Sequence, residues 1–552
     1  MLRRRDVPST GGPRMAASEP PDEGDEPAAG AAGEPPSGSP GAPGPGIGDS
    51  GSDDIHRRHV RGSALLVMGR AVAMVIGMAT QVVIVRALTK EDFGAFAYAL
   101  ALASAARILL SLGQGRALSR FMAGYEEDRD YPRMFGAMFL AIGTIVTTSV
   151  LFIGAFFLFS EALVGSAVGD DAIRLVLVLL LLSPLEALDQ VFVSIFAVFS
   201  KPGAIFFRKH LLAPTLRLVV VVLLVLTGSG VMFVAVGYVL AALVGVLMYV
   251  GLLVRVLRER GLLQEFDPRK IVIPFRAVFS FSFPLITGEL ALLSLTTGGV
   301  FVLAFYHSTV EVADYRAVFS SARLNTAVTS SFSTLFLPVI ARLYARADME
   351  GLRRSYWNTA TFVAVLTFPV FALTGPLAPS FTVTLFGERY AGSATVLSIL
   401  AVGYYINVML GFNAYALQVC GRIRYLVVVN VFVAVLNIAL CFLFAPQLAA
   451  VGIALANCIA LVSQNLLNQW VLRGSLGTGF IARGSLGAYG VIALGAGTLW
   501  AFQLLASPGF VVSLVAAGLV SFAVLMGSRN ALRLGESFPE LLRLPLLGRL
   551  LR

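Results

Sequence analysis

Three arginines stand inside long apolar runs of this sequence: Arg70, Arg107 and Arg323. A guanidinium at membrane depth costs about 2.5–3.5 kcal/mol on insertion scales, so it is usually kept for a hydrated or protein-lined interior. Its planar fork donates two parallel bonds to phosphate oxygens, which suits it to a phosphorylated substrate. The competing reading is structural: pairing with Glu186, Asp189 or Glu289, or snorkelling towards a helix end. Asn325, two residues from Arg323, is the amide best placed to hold a sugar hydroxyl. The other amides of the second half, among them Asn407, Asn430, Asn437, Asn457 and Asn465, read mainly as interhelical glue.

The carboxylates carry a second kind of chemistry. Glu289 lies mid-span in Pro284-Leu-Ile-Thr-Gly-Glu289-Leu. Burial disfavours the charged form of a carboxylate. Glu289 therefore suits proton exchange during transport, or a static ion pair with an arginine. Glu186 and Asp189 follow Pro184 and are three apart, which puts them on one helix face. They are candidates for ion coupling, with sugar contacts or a pair with Arg174 as the alternatives.

These residues need apolar helices to hold them. The chain has 552 residues, 57% hydrophobic and 13% charged, against about 45–50% and about 25% in soluble domains. A helix needs about 20 residues to cross roughly 30 Å of hydrocarbon. Hydropathy gives about fourteen such spans, near 63–85, 94–115, 134–159, 173–198, 211–228, 231–254, 277–305, 314–338, 357–384, 393–419, 425–444, 449–472, 486–506 and 509–527. The fold class is an all-α polytopic membrane protein. Lys and Arg in the connections fall overwhelmingly on one side, while the other side holds Arg86, Lys90 and Arg389. That bias places both termini in the cytoplasm.

Residues 1–55 are rich in Pro, Gly, Ala and acids and read as a disordered tail. Spans one to six (56–255) and seven to twelve (277–473) read as two related lobes. Ala235-Val236-Gly237 recurs as Ala450-Val451-Gly452, and the basic turn at Lys201–Lys209 falls opposite Gly421–Arg424. Such repeats are a transporter architecture. Spans at 486–527 stand outside the repeat. The tail 528–552, with alternating Leu pairs and Arg, suits the membrane interface.

Other functions are disfavoured by what the residues offer. The +10 net charge marks one membrane side and does not point to nucleic acid. His56, His59, His210 and His307 include no pair at metal-ligand spacing, and Cys420, Cys441 and Cys458 read as buried small hydrophobes. No nucleophile elbow or phosphate-binding loop is present, so no cofactor, metal or enzymatic activity is expected. A membrane-embedded polymerase or glycosyltransferase is the rival class. It typically carries a large outer loop, whereas the outer connections here are short.

The run Gly69-Arg70, Gln81, Arg86-Ala-Leu, Asp92-Phe93-Gly94 and Gly113-x-Gly-x-Ala-x-x-Arg120-Phe121 resembles the opening of the Wzx-type polysaccharide flippases. These belong to the multidrug/oligosaccharidyl-lipid/polysaccharide exporter superfamily. Helix count and repeat structure extend the resemblance over the remaining spans. It implies alternating access in a bacterial inner membrane, with a polyprenyl-pyrophosphate-linked oligosaccharide as substrate. Arg120 matches a recurrent family position, although its place near a span end suits topology. The partners implied are the lipid-linked oligosaccharide, membrane lipids and a polysaccharide polymerase or export component. A peptidoglycan-precursor flippase or a cation-coupled drug exporter of the same superfamily is the alternative. The drug exporter is disfavoured by the arginines.

Overall fold

The computed structural model describes residues 49–164, 170–477 and 479–532. The expected tail up to residue 48, part of the connection at 160–172 and the amphipathic segment beyond 532 lie outside them. The chain divides into Met1–Arg57 and Arg58–Arg552; everything below concerns the second unit. Among the described residues its regular secondary structure is all helical, with no strand.

The first six spans are α1 (Asp49–Ala87, apolar over Met68–Ala87), α2 (Lys90–Glu127), α3 (Tyr131–Leu158), α4 (Ile173–Val198), α5 (Pro202–Thr227) and α6 (Val231–Glu259). Then come α7 (Phe275–Tyr306) and α8, whose parts Thr309–Ser333 and Phe336–Ala345 are bent by 46°. Pro338 accounts for the bend, since its ring clashes with the carbonyl four residues earlier. Next are α9 (Met349–Thr374) and α10 (Ser393–Val419). The 54-residue helical stretch Ile423–Leu476 is too long for one crossing, at about 1.5 Å per residue. It reverses at Ala449, whose φ of 45° and ψ of −127° are non-helical, and so supplies α11 and α12. Finally come α13 (Arg483–Ala506) and α14 (Phe510–Arg529); counting the bent pair as one span and the 54-residue stretch as two, the described residues hold fourteen. Several boundaries differ from expectation: α2 runs on to Glu127, and α5 starts at Pro202, so most of the stretch Lys201–Lys209 is helix and not a turn. The ninth span does not reach 384; Gly375-Pro376 stops it, and Ala378–Phe386 forms a separate short helix.

Three apolar clusters organise the bundle. At the α1–α2 turn, residues from both halves share one core, including Ile84, Phe93, Val176 and Val221 with Leu303, Tyr315, Leu397 and Val433. At the opposite end the halves have separate cores. One joins Leu118, Phe135, Phe196, Tyr249 and Leu257; the other joins Phe336, Tyr356, Phe368, Phe412 and Leu472 with Leu499 and Val524 of α13 and α14. A bridge between the halves at this second end runs through α2 and α7, where Phe281 packs edge-on against Phe121 and under Arg120.

Amides serve as glue, as anticipated. Asn437 and Asn457 donate to the Ser294 and Leu295 carbonyls, where α7 widens into a π-helical turn over Ser294–Gly298. Asn465 joins Asn413 and Asn407, and Gln469 accepts from the Tyr356 hydroxyl at 2.8 Å. A membrane interior offers these groups no water, so each carbonyl released by an irregular turn needs an internal donor.

Candidate functional site

Two proline-induced irregularities aim the charged residues. In α4, Pro184 cannot continue the ladder. The helix breaks at Leu181, and the Ser183 hydroxyl takes the freed Leu180 carbonyl at 2.8 Å. Glu186 and Asp189 follow on the next turn. In α5, Pro214 follows a π-helical segment, Phe206–Leu212, in which the Ala213 N–H reaches back five residues to the Arg208 carbonyl. The wider turn carries Arg208, Lys209 and His210.

The two carboxylates of α4 both face α5. Arg208 meets Asp189 at 2.7 Å and Arg217 meets Glu186 at 2.8 Å. Arg107 of α2 approaches the second Glu186 oxygen at 3.7 Å. Arg208 is buried over the Tyr249 ring, and Gly245 makes room for it: a Cβ there would overlap the guanidinium. Arg217 lies over Tyr238.

Beside this ladder is a cavity of about 460 Å³. Its walls come from α1 (Gly77, Gln81), α2 (Phe96, Ser104), α4 (Glu186), α5 (Lys209, Arg217), α6 (Tyr238) and α8 (Arg316, Ser320). Gln81 donates to the Arg316 carbonyl at 3.3 Å, linking α1 to α8 across it. A second cavity, about 230 Å³, is lined by Arg107, Ser111, Arg116, Gln190 and Glu289. It adjoins a break in α2, where Leu112 and Gly113 are both left-handed (φ 43° and 72°). The Ser282 carbonyl of α7 approaches Gly113 so closely that any side chain would collide with it.

The predicted residues are thus only partly gathered. Glu186 lines the larger cavity, and Arg107 and Glu289 line the smaller. The partner of Glu289 is Arg116, at 3.8 Å, which stands just past the break in α2. Asp189 is held by Arg208, away from either lining. Arg70 is exposed and donates to the Ser330 hydroxyl at 3.1 Å. Arg323 lies over the Phe319 ring. Asn325 is fully buried, with neither amide atom paired and no place in either lining.

Three cavity cations were missed by the sequence reading. Arg217 sits in the apolar run Leu216–Leu226, so the depth criterion that marks Arg107 would have found it. Lys209 falls in a stretch whose charges suggest a connection, whereas it stands in the π-helical segment of α5. Arg316 falls seven residues before Arg323, hence on the same helix face. Among the described residues, no group of three His, Cys, Asp or Glu side chains is arranged to hold a metal ion.

Residues 59–344, just over half the chain, match a family model described as polysaccharide biosynthesis protein. Among solved structures, a lipid II flippase MurJ in an inward closed conformation is 14% identical, with a TM-score of 0.62 over 86% of this chain and 100% of that one. An inward-facing multidrug resistance MATE family transporter of the MOP superfamily is 16% identical, with a TM-score of 0.57 over 75% and 99%. At these identities the likeness concerns the fold. No curated protein matches the chain. With a helical bundle of this kind and a family match over more than half its length, the chain belongs to the polysaccharide biosynthesis protein family and has the fold of MOP-superfamily transporters.

Proposed function

We propose that this protein flips a polyprenyl-pyrophosphate-linked oligosaccharide across the bacterial plasma membrane, from the cytoplasmic to the outer leaflet. The observation that carries this reading is the surplus of cations in the larger cavity. Glu186 is engaged by Arg217 and Arg107, yet Lys209 and Arg316 face the same space. A dry interior would not tolerate that excess, whereas a diphosphate balances it with charge-assisted hydrogen bonds. Phosphates sit among Lys209, Arg217 and Arg316, with Arg107 behind Glu186 in the adjoining smaller cavity, and the polyprenyl chain stays in lipid. The sequence candidates Arg70, Arg323 and Asn325 line neither cavity and are assigned a secondary role. Glu289, with Arg116, is the candidate for ion coupling.

The two groups 56–255 and 277–473 act as rocking lobes, with 486–527 outside them and both termini cytoplasmic. A shared core at the α1–α2 turn and separate cores at the far end suit a state open to the cytoplasm. The test is a strain lacking the gene, complemented with wild-type, Arg217→Ala or Arg316→Ala protein. Surface polysaccharide should fall and lipid-linked glycan accumulate in the variants. Normal export at wild-type protein level overturns the reading. A block in cell-wall synthesis instead would favour a lipid-linked peptidoglycan precursor, which offers the same phosphates.

A further inference from the structure

Arg86, Lys90 and Arg389 are the cations that depart from the charge bias of the connections, and all three are engaged in contacts between the two halves. Arg86 ends α1. Its Nε donates to the Leu385 carbonyl at 2.8 Å and its Nη2 to that of Thr384. Those carbonyls end the short helix Ala378–Phe386. Arg389 follows that helix and returns the favour, donating to the Val85 and Arg86 carbonyls at the end of α1. The last four carbonyls of a helix lack intrahelical partners, and a helix C-terminus favours a cation. Each arginine therefore caps the helix that carries or precedes the other. Beside them, Lys90 meets both Asp314 oxygens at 2.8 and 3.0 Å, and the Ser393 hydroxyl donates to the same carboxylate at 2.7 Å. Close by, the α2 backbone at Gly94 presses on the Thr309 carbonyl.

We infer that these groups form a polar latch holding the two halves together at the α1–α2 turn, which must release as a unit when the cavity opens to that side. The direction of the cycle rests on the transport reading above; the latch itself does not depend on which substrate is carried. A polar latch suits a reversible closure better than more apolar packing. Water can take over its donors and acceptors when it parts, and the reciprocal caps make the release cooperative, since separating the halves leaves both helix ends bare at once.

The test uses the full chain with Cys420, Cys441 and Cys458 replaced by Ser or Ala and Ser320→Cys in the cavity wall as reporter. A membrane-impermeant maleimide is applied to sealed vesicles of each orientation. With the latch weakened by Arg86→Ala/Arg389→Ala or Lys90→Asp, labelling from the α1–α2 side should rise about fivefold. The swap Lys90→Asp/Asp314→Lys should bring it back down. Unchanged labelling in both weakened variants overturns the latch. Should those variants fail to fold, the pair Lys90→Cys/Asp314→Cys replaces them. Its disulfide should abolish labelling from that side until reduced, and labelling that persists in the crosslinked protein overturns the proposal. The readout needs no substrate, so its failure is distinct from failure of the export assay.

Discussion

Arg316 and Arg323 lie against one ring: their guanidinium carbons stand 5.3 and 5.5 Å from the centre of Phe319. The seven-residue interval places them on one helix face, but the α8 ladder is interrupted at Arg323, between Ala322 and Leu324. Arg316 is left facing the cavity, with its buried Nε unpaired. An arginine–phosphate contact contributes about 1.5–3 kcal/mol. Arg316→Ala should therefore lower export at least about tenfold at unchanged protein level, and Arg323→Ala should do much less. Quantifying surface polysaccharide against membrane protein checks both.

The Asp189–Arg208 pair is expected to serve stability. Arg208 is 5% exposed, and breaking such a pair leaves a charge without compensation, at a cost of about 3–5 kcal/mol. Arg208→Ala and Asp189→Asn should both lower the thermal unfolding temperature in detergent. Asp189→Leu/Arg208→Met should recover much of the loss, because two apolar groups can replace a buried pair.

Gly245→Ala should mimic that loss. The added methyl group would stand where the guanidinium lies, forcing Arg208 off Tyr249 and Asp189. Overpacking of this kind typically costs about 1–3 kcal/mol, which a thermal unfolding series would resolve from Gly251→Ala, where nothing stands near an added Cβ.

Pro214 is expected to matter through geometry. Replacing it with Ala permits an ordinary ladder, and losing the extra residue of the π turn rotates what precedes it by about 100°. Arg208 and Lys209 would then leave their present directions. Pro214→Ala should insert normally, export poorly and show weakened coupling in a double-mutant cycle with Asp189→Asn.

Much of the architecture was legible in the residues. The α11–α12 hairpin illustrates it: two apolar runs separated near Pro446–Ala449 were enough to place the reversal that Ala449 makes. The α9 boundary was less legible, because the residues after Gly375-Pro376 are as apolar as those before. Hydropathy reports the solvent a residue prefers and is insensitive to a break between two apolar helices.

Span number and the presence of cations at membrane depth follow from the sequence alone, because transfer into lipid is a property of each segment by itself. Which carboxylate each cation meets does not. Glu186 meets Arg217, Glu289 meets Arg116, and the three stray cations meet the far half of the chain, at separations of 31, 173 and more than 200 residues. Such partners depend on how helices cross and on where prolines widen a turn by one residue. Those are properties of the packed bundle, and only the tertiary structure decides them.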